Sequence, residues 1–204
     1  MVGTLYNKPM DTPKPDKLHE SLNISKYREN WTGRDGRKVI LRPITSGDKR
    51  IEKELIDGLS HQSSRYRFFH VIKEASEEMV NKFCDIDYQN EIAVIAEYDS
   101  NGEKRNVGVV RLFIDPNLQT GEFAILVADN FQSTGLGTKF METLIDIGRE
   151  RGLKSIYGIV MAENIRMLTL AKEFGFRVGA NSYGEVAIER QLSDLSPTSD
   201  RKID

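Results

Sequence analysis

Between residues 38 and 192 the apolar positions switch repeatedly between a period of two and a period near 3.6, and each switch marks an element. In residues 38–43, Val39 and Leu41 alternate with polar neighbours and predict a first strand. Thr45 then caps a helix whose apolar face is Ile51, Leu55 and Leu59, with Gly58 loosening its end. The stretch SHQSSRYRFFHV at residues 60–71 mixes polar and aromatic side chains. It predicts a loop or short helix with Phe68 and Phe69 in the core, and a helix follows over residues 76–83. Strands over residues 91–97 and 106–114 flank Ser100, Asn101 and Gly102, a hairpin signal. Further on come a strand at 154–161, a helix at 165–174 closed by Gly175 at its C-terminal cap, and a closing antiparallel pair at 176–178 and 185–189.

The stretch GEFAILVADNFQSTGLGTK, residues 121–139, changes character twice. Phe123, Ile125 and Val127 alternate, and Ala124 and Leu126 are also apolar, so residues 122–127 predict a central strand buried on both faces. Asp129 and Asn130 stop it. From Gln132 a Gly-containing turn leads into a helical pattern with Leu136, Phe140, Leu144 and Ile147 on one face. The first N–H groups of a helix have no intrahelical partner and sit at the positive end of its dipole, so this turn favours an anion such as phosphate. Gly135 and Gly137 let a pyrophosphate approach the backbone, and Thr138 can add a hydroxyl donor. The spacing fits a plain strand-to-helix connection equally well. It fits neither a nucleotide P-loop, since no Gly-Lys-Ser/Thr ends it, nor a dinucleotide fingerprint, whose first Gly is missing.

A length of 204 residues bounds the chain to one domain or one domain plus a tail. Hydrophobic content of 39% with 29% charged residues is ordinary for a globular protein. The net charge of −2, from 29 basic and 31 acidic side chains, leaves no broad electrostatic footprint for nucleic acid or an anionic membrane, and neither is an expected partner. Cys84 is the one cysteine, which excludes an intramolecular disulfide and agrees with a reducing cytoplasm. It shares an apolar face with Met79, Val80 and Phe83 and reads as a small buried hydrophobe, not a nucleophile. No apolar run reaches the roughly twenty residues of a spanning helix, and no signal peptide opens the chain, so a cytoplasmic location is expected.

Pro9, Pro13 and Pro15 lie among polar residues in a segment that offers little to bury, so residues 1–30 are expected to form a flexible arm. Tyr27 and Trp31 pin its end before a turn at residues 33–36. Residues 31–192 then form a single domain, and residues 193–204 a polar, disordered tail. His61, Arg65, Tyr66, Arg67 and His70 invite catalytic readings, but exposed side chains on a loop or short helix explain them better, with acceptor contact second. A metal site is not expected, because His61 and His70 have no partner at helical spacing and no further cluster to complete coordination.

Gln132-x-x-Gly135-x-Gly137 after an apolar strand resembles the acyl-CoA pyrophosphate motif of the GNAT acetyltransferase superfamily. The resemblance continues at AENIRMLTLAKEFGF, residues 162–176, and covers about residues 38–190. More narrowly, DGRKVILRPI at residues 35–44, Glu122-Phe123-Ala124, and Asn164-x-x-Met167-x-x-Leu170-Ala171 resemble the GNAT domain of bacterial protein lysine acetyltransferases. Those are often fused to an NDP-forming acyl-CoA synthetase module. Where such fused proteins have a linker this chain has a short tail, so a synthetase module is expected to be absent.

The resemblance implies an α/β fold, a mixed, mostly antiparallel central sheet flanked by helices, in which the strands ending at Val127 and Met161 splay apart. It implies acetyl-CoA as cosubstrate and no metal. The pantetheine arm would run along Leu126, Val127 and Ala128, and the pyrophosphate would sit on the N–H groups of Gln132, Ser133, Thr134, Gly135, Leu136, Gly137 and Thr138. Asn164, also a good N-cap, and Met167 would add contacts, Met167 reading as core on pattern alone. The region between the first two main strands would wall the acceptor groove.

Acyl transfer needs a neutral amine, whereas lysine titrates near 10.4. By the resemblance Glu122 is the general base, its weak basicity helped by burial beside Phe123, and a backbone N–H near Val127 stabilises the charge developing on the thioester oxygen. Glu91, Glu97 and Glu185 are strand carboxylates outside that position. The tyrosine that protonates the leaving thiolate in many GNAT enzymes is replaced here by Ala171, as it often is in the lysine acetyltransferases. The implied acceptor is a protein lysine, with acyl-CoA synthetases as candidates. The alternatives are a small-molecule amine acetyltransferase and a non-catalytic acyl-CoA-sensing domain.

Overall fold

Eight strands form one sheet in the computed structural model, which describes residues 24–192. They are β1 (Glu29–Thr32), β2 (Lys38–Pro43), β3 (Glu91–Ser100), β4 (Glu103–Asp115), β5 (Thr120–Val127), β6 (Ser155–Met161), β7 (Arg177–Ser182) and β8 (Glu185–Gln191). Their spatial order is β1-β2-β3-β4-β5-β6-β8-β7, and every neighbouring pair is antiparallel except β5 with β6. Five helices cover the sheet: α1 (Lys49–Asp57), α2 (His61–Phe68), α3 (Glu77–Cys84), α4 (Leu136–Glu150) and α5 (Ile165–Glu173). This is the expected α/β architecture.

Local chemistry accounts for the boundaries. Ser60, Ser76 and Asn164 each accept the N–H three residues on, capping α2, α3 and α5. Asn101 and Gly102, with φ of 58° and 89°, make the tight turn between β3 and β4. The alternation along β3 divides the core in two. Ile92, Val94 and Ala96 face the cluster built around Phe140, Met141 and Leu144 of α4, while Ala93 and Ile95 face Ile51, Leu55, Met79 and Val80 of α1 and α3.

Polar side chains cross-link these layers. Arg111 and Glu52, both 1% exposed, pair at 3.0 Å, Arg111 also holds Glu91 at 3.0 Å, and Asn106 donates to Glu52 at 2.6 Å. Arg42 joins Asp48 at 2.6 Å and Glu97 at 2.7 Å. Burial opposes ionisation of Asp48 and Glu97, yet the hydrogen bonds from Arg42 hold both carboxyls below their ordinary range.

Four expectations change. The arm boundary at residue 30 falls inside β1, whose residues pair with β2 while Tyr27 and Trp31 pack on the larger core cluster; the rest of the arm and the tail lie outside the described residues. Leu59 follows the end of α1, because Gly58 caps it, and only rests against the second cluster. Phe69 takes a left-handed backbone (φ 63°) at the end of α2 and turns toward a cavity, leaving Phe68 alone in the core. β5 is not buried on both faces: Ala124, Ile125 and Val127 are half-exposed, because β5 and β6 pair at only three positions before parting.

Candidate active site

The parting of β5 and β6 builds the site. Thr120, Gly121 and Glu122 pair with Ser155, Ile156 and Tyr157, and no pairing continues although β5 runs to Val127 and β6 to Met161. A cavity of about 820 Å³ fills the opening, walled by β5, β6, α2 and α5. The Ala128 N–H donates to the Val107 carbonyl of β4 at 3.0 Å. Strand N–H groups alternate sides, so the N–H of Val127 faces the opened edge.

Glu122 occupies the last paired position. Strand register sets it in a row across the sheet, Glu91 to Phe113 to Glu122 to Tyr157, and all four line the cavity. The Tyr157 hydroxyl donates to the Glu122 carboxylate at 3.5 Å. Burial, then the neighbouring carboxylate, raises the Tyr157 phenol above its ordinary value, so it remains protonated and able to donate. Two of the other strand carboxylates, Glu97 and Glu91, are engaged by cations. Glu97 is held by Arg42 and Lys104, and Glu91 by Arg111, while Glu185 lines the cavity from β8.

At the other end lies the turn into α4. Gly135 has φ 93°, a conformation that side chains strain to adopt, and it starts the helix. The first helical hydrogen bond runs from the Lys139 N–H to the Gly135 carbonyl at 3.0 Å, so the Gly137 and Thr138 N–H groups precede the helical ladder. A Cβ on Gly137 would meet only Leu170, at 3.7 Å. These donors at the positive end of a fifteen-residue helix, with Gly137 lining the cavity, fit a pyrophosphate.

Gln132 braces the turn. Its amide nitrogen donates to Ser63 at 3.1 Å and its oxygen accepts from Arg166 at 2.6 Å, tying α2 to α5. Asp129 accepts from the Ser60 N–H and from the Ser60 and Ser63 hydroxyls at 2.6–2.9 Å. Burial resists its charge, but these donors keep its carboxyl below the usual range.

Of the residues expected from sequence, Glu122, Leu126, Val127 and Gln132 line the cavity, as do Ser133, Gly137, Asn164 and Met167. Ala128, Thr134, Gly135, Leu136 and Thr138 do not. Leu136 is fully buried, and the Thr134 hydroxyl donates inward to the Phe131 carbonyl at 2.7 Å. The Asn164 side chain accepts the Met167 N–H at 3.1 Å as the N-cap of α5. Ala171 is fully buried.

Sequence reasoning missed Tyr157 and Phe113, which only strand register brings beside Glu122. It also treated Arg67 as exposed, whereas Arg67 is half-buried over the Phe68 ring at 4.9 Å. Among the described residues no group of three or more His, Cys, Asp or Glu side chains could hold a metal ion, and no helix is long and apolar enough to cross a membrane.

The profile of the Acetyltransferase (GNAT) family matches residues 59–176. A curated acetyltransferase of Pseudomonas aeruginosa is 36% identical over 142 residues, covering 70% of this chain and 76% of that protein. Among solved structures, the GNAT domain of PAT from S. lividans superposes with a TM-score of 0.74 at 24% identity, covering 82% of this chain and 98% of that one. Spermidine N-acetyltransferase of Vibrio cholerae superposes with a TM-score of 0.62 at 21% identity, covering 76% and 96%. Both solved structures share the fold described here. Fold, splayed strands and family match agree: the chain belongs to the GNAT acetyltransferase family, whose members are acyltransferases that use acetyl-CoA.

Proposed function

We propose that this protein transfers the acetyl group of acetyl-CoA to the side-chain amine of a protein lysine, with acyl-CoA synthetases as candidate acceptors. The observation that carries the reading is the placement of Glu122 at the point where β5 and β6 part, open to the cavity and beside Tyr157. The Gly137 and Thr138 N–H groups would hold the pyrophosphate, and the freed edge of β5 would pair with the pantetheine amides.

Glu122 takes a proton from the lysine ammonium, directly or through one water. The neutral amine attacks the thioester carbonyl, the Val127 N–H stabilises the oxyanion, the carbon–sulfur bond then breaks, and the second proton of the attacking nitrogen passes to the departed thiolate, leaving the amide and the free thiol. The thiolate leaves as such, since buried Ala171 offers no proton; a thiol with an ordinary pKa near 8.5 tolerates this. The likeness to the S. lividans domain supports a protein acceptor.

A small-amine acceptor is the second reading. It draws on the likeness to the Vibrio cholerae enzyme, solved with CoA and spermine.

The deciding experiment measures acetyl transfer by intact mass on candidate proteins beside a panel of polyamines and amino acids, for wild type and Glu122→Gln. The expected result is a mass shift on protein, with kcat lowered in the variant by about 10²–10⁴ and acyl-CoA binding retained. Equal rates across pH in the two proteins would remove Glu122 as base. Acyl-CoA binding without turnover on any amine would favour the sensor class.

A further inference from the structure

The acceptor end of the cavity carries charge of both signs, on opposite walls. The sheet side presents the row containing Glu91 and Glu122, and Glu91 is paired at 3.0 Å with Arg111, which it shares with Glu52. The helical side, from α2, the loop after it and α3, presents Arg67, His70 and Lys82 around Phe69 and Phe83. Arg67 differs from Arg42 and Arg111, the two arginines paired into the sheet. Arg42 and Arg111 are each held by two carboxylates, whereas among the described residues Arg67 makes only ring contacts, with Phe68 at 4.9 Å and Phe83 at 5.9 Å.

Phe83 has two guanidinium groups close to its ring, since Arg111 approaches it at 4.6 Å. Burial first and repulsion by Arg111 second outweigh the attraction of Glu52, Glu91 and Glu122, and the guanidinium is lowered to about 10. A positive charge kept in such surroundings, facing open cavity, is completed by an anion from outside. Guanidinium geometry suits a carboxylate, which it can bind with two parallel hydrogen bonds.

We infer that Arg67 is a specificity-determining residue that receives a carboxylate of the acceptor, so that the preferred amine is one with a carboxylate close by. This rests on the acetyltransferase reading and narrows its substrate class. The carboxylate can come from an acidic residue flanking the target lysine in a protein or from a free amino acid. The same cationic wall disfavours a polyamine, whose second ammonium would face Arg67 and Lys82.

The test is a set of lysine peptides of equal length whose flanking residues are Glu, Ala or Lys, run beside free amino acids and spermidine. Wild type should favour the Glu-flanked peptide over the Ala-flanked one by about tenfold to a hundredfold in kcat/KM, mainly through KM, as expected for a charge-assisted hydrogen bond. Arg67→Gln should bring that ratio toward one, Arg67→Lys should keep part of it, and Arg67→Glu should reverse it toward the Lys-flanked peptide. A purely structural Arg67 would change the melting temperature and leave the ratio alone.

Equal kcat/KM across the peptides in wild type overturns the inference without any variant, as does an unchanged ratio in a folded Arg67→Gln protein. Arg67-dependent turnover of amino acids with inert peptides upholds the carboxylate site and overturns the protein acceptor. If no amine is turned over, anisotropy of a fluorescent Glu-flanked peptide with CoA present decides separately. Arg67-dependent binding upholds the site while the catalytic reading fails, and absence of binding overturns it.

Discussion

Glu122 illustrates how a residue's role comes from its neighbours. A glutamate at a strand start is ordinarily a solvated end, but here strand pairing places Tyr157 on one side and Phe113 on the other, and the sheet opens immediately beyond. The Tyr157 hydroxyl, 3.5 Å from the carboxylate, favours the charged form of Glu122. Removing that donor in Tyr157→Phe makes the carboxylate easier to protonate. The rising limb of log kcat/KM against pH therefore moves to higher pH in this variant, with acyl-CoA affinity unchanged. A limb that stays in place would show that the contact does not tune the base.

At the scale of elements, the turn into α4 separates two glycines that look alike in sequence. Gly135 is required by backbone conformation, since its φ of 93° strains any side chain, and Gly135→Ala should cost about 1 kcal/mol or more in urea unfolding. Gly137 lies within the helix, so Gly137→Leu should hold or raise stability through better helix propensity while filling the space beside Leu170. Calorimetry should then show acyl-CoA affinity falling at least tenfold in the Gly137 variant. Retained affinity would place the pyrophosphate elsewhere. The turn is also tied to α2 through Asp129 and Ser60, so the anion site and the acceptor wall are joined as one unit.

Across the whole molecule, the Arg111–Glu52 pair joins the α1–α3 layer to the middle of the sheet and, through Glu91, reaches the edge of the cavity. Arg111→Met leaves Glu52 buried without its cation and should destabilise the fold by about 3–5 kcal/mol. Adding Glu52→Leu removes the stranded charge and should recover much of that loss, although Asn106 then loses its partner. Urea midpoints of the two single variants and the double variant measure the coupling. Additive losses would mean that the pair acts as two independent polar contacts.

Hydrophobic period and turn chemistry were enough to mark nearly every element: β2 as residues 38–43, the face of α4 through Leu136, Phe140, Leu144 and Ile147, and the caps Asn164 and Gly175. These signals are local, because a helix or strand buries one face at a fixed spacing and ends where the backbone finds another partner. The Gln132–Gly137 motif and Glu122 were legible too, through resemblance more than through spacing. What the sequence could not determine depends on which strands meet and where they stop meeting. β1 is four residues with a single partly buried position, so it has no period of its own and exists by pairing with β2. The half-exposed face of β5, the approach of Tyr157 to Glu122, and the turning of Arg67 into a cavity all follow from three paired positions between β5 and β6 and from α2 lying across the gap. Such contacts join residues far apart in the chain, and only the closed sheet brings them together.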